Sequence, residues 1–144
     1  MAEIETGVLT DILMENRLDQ LQSFGEEKLA DFKNMSFGEY FMSTITQHNI
    51  SKAAAIANSG IEVHYAYQIL SGLKNGKRDK LICLCIGGGL TIKETNRALA
   101  RAEAGCLYPK RMRDAIIMLA INKNIHTVWE TNDLLATHHQ TILE

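Results

Sequence analysis

The chain has 144 residues, of which 46% are hydrophobic, and a formal net charge of −2. That length and apolar content suit one compact domain with an appendage, and they exclude a disordered polyelectrolyte. The near-neutral balance excludes a global electrostatic pull towards nucleic acid, so any such affinity has to be local.

The charge is unevenly spread. Residues 1–34 carry 8 acidic and 3 basic side chains, residues 35–80 carry 3 and 5, and residues 81–144 carry 6 and 7. With a single proline and few β-branched runs, the pattern predicts an all-α protein of about seven or eight helices. Three cysteines, Cys83, Cys85 and Cys106, are odd in number and sit in or beside apolar sequence. This suits a reducing compartment better than a disulfide framework. No signal peptide opens the chain, and no apolar run is long enough to span a bilayer, so a cytoplasmic protein without a membrane partner is expected.

Residues 1–34 read as a helical appendage of two helices. Val8, Leu9, Ile12 and Leu13 form one apolar stripe, and the pattern restarts around residues 23–25. Residues 35–105 read as a bundle. Ser36 and Glu39 form an S-x-x-E capping box, followed by Phe37, Tyr40, Phe41, Thr44 and Ile45 at helical spacing. His48 and Asn49 end that helix. Residues 51–72 then organise the chain. Ser51 can cap a helix of small alanines, Gly60 supplies a backbone that tolerates positive φ, and Ile61 can plug the corner. A second helix over 62–70 offers Ala66, Ile69 and Leu70 for burial, with Tyr67 also assigned to the core, and Gly72 ends it. Two helices around a glycine turn have the layout of a DNA-binding helix-turn-helix. Asn75-Gly76 marks a loop. An apolar helix over 78–86 follows, stopped by Gly87, Gly88 and Gly89. Thr91 and Glu94 make another capping box, opening a helix to about residue 104.

From residue 106 the chain repeats itself. Arg78-Asp79 and Arg113-Asp114 each open an apolar helix, and each is followed by T-x-x-E-T-N, at Thr91 to Asn96 and at Thr127 to Asn132. Leu84 matches Leu119, and Leu99 matches Leu135. Residues 106–144 are therefore expected to form a second helical hairpin, packed on the bundle, with Pro109 at its start.

Taken together these motifs are specific. Asn58 to Gly60, Tyr65 to Ile69, Ser71-Gly72, Arg78 to Leu81, Gly89 to Asn96, Leu107 to Pro109, Arg113 to Ile117 and Glu130 to Leu135 resemble those of small bacterial Xre-type proteins, the phage-repressor-like class. The resemblance covers roughly residues 36–138. It implies a repressor-like helix-turn-helix bundle and a transcriptional regulator without enzymatic activity. Two departures stand out: the link after the second helix lacks the usual proline and is less basic, and that helix begins Glu62-Val63-His64.

In a helix-turn-helix the early exposed residues of the second helix face base edges. That assigns base reading to His64, Tyr65 and Gln68, with Glu62 accepting from cytosine. Lys52, Lys74, Lys77, Arg78 and Lys80 are assigned to phosphates. Arg78 has a competing role, since a repeated Arg-Asp pair suits a bridge between helices. The competing function is a helical protein-interaction adaptor that keeps the fold without binding DNA.

No catalytic constellation stands out, and no cofactor is expected. Cys83 and Cys85 diverge on a helix, as do His138 and His139, so neither pair reads as a metal site. Gly87–Gly89 lacks the Lys-Ser/Thr of a phosphate loop. One weakly charged recognition helix calls for a second half-site, so a homodimer is expected. It would use the C-terminal hairpin through Ile116, Ile117, Leu119, Ile121, Val128, Trp129, Leu134 and Leu135, with the acidic N-terminal helices kept off the DNA.

Overall fold

The structure, a computed structural model, describes residues 34–144; the two-helix reading of the N-terminal appendage lies outside these residues. Residues Ser36–Glu144 form one compact unit. The described residues contain seven α-helices and no strand: α1 Phe37–Gln47, α2 Lys52–Ser59, α3 Val63–Ser71, α4 Arg78–Gly87, α5 Ile92–Arg101, α6 Met112–Asn122 and α7 Val128–Thr137.

Local chemistry starts and stops these helices. At α1 the Glu39 amide donates to Ser36 Oγ at 3.2 Å, and the Ser36 amide donates back to the Glu39 carboxylate at 2.9 Å. Each bond satisfies an amide that the helix itself cannot. Thr91 and Glu94 repeat the arrangement at α5. Ser51 caps α2 by accepting from the Ala54 amide at 3.1 Å. Gly60 ends α2 at φ +70°, and Ile61, 7% exposed, fills the corner before α3.

The helix–turn–capped-helix unit occurs three times, once more than the sequence reading recognised. Asn49, Gly89 and Asn124 follow the first helix of each unit with φ of 59°, 70° and 60°. The next amide, from Ile50, Leu90 or Ile125, returns to the carbonyl of Ile45, Cys85 or Ala120 at 2.9, 3.1 and 3.0 Å. This is the six-residue closure that a left-handed residue allows at a helix end. Ser51, Thr91 and Thr127 then cap the next helix. The first copy is hidden because an asparagine and a serine stand where the second has a glycine and a threonine.

Helix α4 is the centre of the core. Every residue from Leu81 to Gly87 is buried, and α2, α5 and α7 pack on it. A methyl group at Gly87 would lie 2.3 Å from the Ala55 carbonyl oxygen and 2.7 Å from the Ser59 amide. Gly87 is thus more than a helix stop: it is the last residue of α4 and lets two backbones cross, with the buried Ala55 on the α2 side. Phe41, Ile45, Ile82, Leu84, Leu99, Ile117 and Leu135 complete a continuous apolar interior.

The units α4–α5 and α6–α7 are tied by a reciprocal exchange. Arg78 donates from Nε to the Gly105 carbonyl and from Nη2 to that of Cys106, both at 3.0 Å, and grips both oxygens of Asp114 at 3.1 and 2.9 Å. Arg113 does the same to the Thr141 and Ile142 carbonyls, at 2.8 and 3.0 Å, and to Asp79, at 3.0 and 2.8 Å. The Tyr108 amide closes on Asp114 at 2.9 Å and the Glu144 amide on Asp79 at 3.3 Å. Asn96 and Asn132 each accept a backbone amide, from Leu107 and Leu143, at 2.8 Å. The repeated Arg-Asp and Asn residues are therefore the parts of one fastening used twice.

Two boundaries differ from expectation. Helix α5 stops at Arg101 rather than near residue 104, because Glu103 turns left-handed at φ 52° and the Ala104 amide returns to Leu99. Pro109 precedes α6 instead of opening it. The Arg111 amide bonds the Tyr108 carbonyl at 3.0 Å, which puts Pro109 second in a four-residue turn, where its fixed φ fits.

Candidate nucleic-acid interface

Helix α3 buries Ala66, Ile69 and Leu70, and this sets its opposite face. At 100° per residue that face carries His64, Gln68 and Ser71, with Tyr67 on the flank towards α2 and Val63 beyond it, nearer the buried side. His64, Ser71, Tyr67 and Val63 are exposed, Val63 to 52% and Tyr67 to 42%. The expectation of a core Tyr67 is corrected: its ring lies outside, with Lys52 Nζ 4.3 Å above its centroid. This cation–π contact ties the first turn of α2 to α3. Val63 was the residue missed as a candidate. The buried triad was legible in the sequence, but projecting it around the helix puts Tyr67 at the edge of the free face and Val63 beside Leu70, so the exposure of Val63 does not follow from the spacing.

The sequence-predicted residues divide into groups. His64 is exposed, Gln68 beside it on the outward face is half-buried, and Tyr65 is half-buried on the flank away from α2. Glu62 is exposed, and one oxygen of its carboxylate accepts from the His64 amide and caps α3. Lys74 and Lys77 are exposed on the loop after α3. The Lys74 amide returns to the Gln68 carbonyl at 3.1 Å, folding that loop against the end of α3. Lys80 is half-buried in the first turn of α4.

Arg78 is a correction. Its guanidinium is occupied by the Asp114 carboxylate, 3% exposed, and by the carbonyls of Gly105 and Cys106. Planar bidentate pairing with a buried carboxylate leaves no fork for a phosphate. The structure assigns Arg78 to the junction with α6.

Between α2 and α3 lies a groove of about 310 Å³, lined by Ala53, Ala57, Gly60, Val63 and Tyr67 among others. Its walls are apolar and its rim carries Lys52. Among the described residues, the surface therefore combines an aromatic and aliphatic strip with lysines beside it, and its one carboxylate is the one capping α3.

The C-terminal hairpin offers less than expected. Ile116, Ile117, Ile121, Val128 and Leu135 are all buried, so most of the apolar surface assigned to a dimer contact is used inside the chain. Leu134 is half-buried; Leu119 and Trp129 remain exposed, to 43% and 53%. The cysteines are free. Burial pushes the Cys83 thiol up to about 12 and raises Cys85 as well, which keeps both protonated and inert. Among the described residues no three His, Cys, Asp or Glu side chains converge on a possible metal position, and no helix is long and apolar enough to cross a membrane. The chain matches no protein-family model, no curated protein and no solved structure.

Proposed function

We propose that the chain is a sequence-specific double-stranded DNA-binding regulator of transcription, an Xre-type bacterial cytoplasmic protein in which α2–α3 is the helix-turn-helix. The observation that carries this reading is the exposed stripe His64, Tyr67 and Ser71 on α3, bordered by Lys52 and followed by Lys74 and Lys77. A helix with one inward face and one free face can enter a major groove about 12 Å wide. Cations beside that face reach phosphate and release counterions, which supplies affinity without sequence information. His64 and Gln68 supply polar groups for base edges.

The test is fluorescence anisotropy on duplexes selected from a random pool, read across a salt series. Lys74→Ala and Lys77→Ala are each expected to weaken binding on every sequence and to flatten the log K against log salt slope by about one. Gln68→Ala is expected to relax preference at one base pair, at a cost of about 1–3 kcal/mol. Binding indifferent to both lysines defeats the assignment of this face.

Assembly belongs to the same proposal. A homodimer would present two α3 helices to successive half-sites, with Leu119 and Trp129 at its contact. Light scattering on Trp129→Glu is expected to read monomer where the parent reads dimer. The adaptor reading is favoured by one observation, the exposure of Val63, Tyr67 and Leu73 beside an apolar groove. A stoichiometric protein partner, retained after nuclease treatment and lost on Tyr67→Ala, would decide for it.

A further inference from the structure

Resting on the DNA-binding reading, we infer that the α2–α3 surface selects A·T-rich duplex by packing thymine C5-methyl groups against Val63 and Tyr67. The major-groove edge of each base pair asks for different chemistry. Guanine is read best by an arginine or lysine fork, cytosine by a carboxylate, and thymine by an apolar contact with its methyl group. Helix α3 contains no arginine or lysine. One oxygen of the nearby Glu62 carboxylate caps α3 at the His64 amide, and Arg78 is held by Asp114. The fork that would reward a guanine is thus absent from α3 or engaged elsewhere.

What this surface does offer is apolar. Val63 is 52% exposed and Tyr67 42%, and behind them Ala53, Ala57 and Gly60 line the groove of about 310 Å³. A methyl group entering that strip leaves water and meets carbon. The occupant is fixed as DNA by charge: Lys52 stands 4.3 Å over the Tyr67 ring, and the exposed Lys74 and Lys77 follow α3. An apolar peptide in the groove would leave these cations unanswered, whereas a duplex brings phosphates on both sides of each thymine methyl.

The experiment replaces thymine by deoxyuridine, which keeps the O4 acceptor and the base pair and removes only the methyl. Duplexes are selected from a random pool at low salt, and anisotropy then compares each selected duplex with its uracil counterparts. The expected result is enrichment of thymine-containing steps and an affinity about four-fold lower for each contacted methyl lost. Val63→Ala is expected to shrink that uracil penalty towards none while leaving the salt slope unchanged. Both side chains are exposed, and melting curves verify that the variants fold. Selected sites rich in G·C, a zero uracil penalty with a normal salt slope, or a penalty undiminished in both Val63→Ala and Tyr67→Ala would overturn the inference and leave DNA binding standing. Failure to retain any duplex at any salt concentration would defeat the inference together with the reading beneath it.

Discussion

Hairpins α4–α5 and α6–α7 carry the same motif and the same fastening, yet they live in different surroundings. Leu84 on α4 is fully buried, while its counterpart Leu119 on α6 is 43% exposed. Gly87 on α4 touches the α2 backbone, whereas its counterpart Asn122 stands in solvent. Helix α4 has α2 across that face; the chief neighbours of α6 are α7 and α5. The fastening carboxylates run the other way, since the Asp114 side chain on α6 is 4% exposed and that of Asp79 on α4 25%. One sequence pattern can therefore yield a core helix or a surface helix. The choice lies with what packs against it, because burial is a property of the neighbourhood while turn and cap geometry are properties of the segment.

Substitutions at paired positions can break this comparison, beginning with the largest effect. Gly87→Ala forces a methyl into the Ala55 carbonyl and must push α2 off α4, so a loss of about 3 kcal/mol or more is expected. Asn122→Ala should stay within about 0.5 kcal/mol. Denaturant midpoints on the two variants check both figures, and equal losses would mean that α6 has a covering partner in solution. Leu84→Ala should cost about 3 kcal/mol by emptying a closed site, and Leu119→Ala well under 1 kcal/mol. The thermal midpoint should fall by roughly 10 °C for the first and barely move for the second.

The smallest effect concerns the fastening. Chiefly the Arg113 guanidinium, opposed by burial and helped by the Glu144 amide, holds the Asp79 carboxyl below its ordinary value. A carboxylate with a depressed folded-state pKa binds fewer protons folded than unfolded. Its stabilising contribution is thus complete above the unfolded value of about 3.9 and disappears as pH falls through the lower folded value. Asp79→Asn should therefore be less stable than the parent at pH 7, by about 1 kcal/mol for a pair this exposed, and should converge with it towards pH 2. Melting curves across that pH range would sink the account if the gap persisted in acid.

The caps, turns and chain reversals were legible because each rests on residues within a few positions of one another. Ser36 with Glu39, Gly60 at positive φ, and the apolar triad Ala66, Ile69 and Leu70 needed no knowledge of distant chain. The repeated Arg-Asp and Asn residues are also visible as a pattern, and a repeated Arg-Asp pair suits a bridge at Arg78. What only the tertiary structure decided was where their partners stand: Arg78 meets a carboxylate 36 residues away, and Arg113 one 34 residues away. The same holds for the surface of α3. Tyr67 had the composition of a core residue, and its place outside follows from Lys52 of α2 lying over its ring and from three smaller apolar residues filling the inward face. The dimer assignment failed for Ile116, Ile117 and Leu135 for the converse reason, since α6 and α7 bury those side chains within the chain. Residue order sets helices and turns through short-range hydrogen bonds and backbone sterics; which apolar face is covered depends on contacts between segments far apart in the chain, and only the packed structure assigns them.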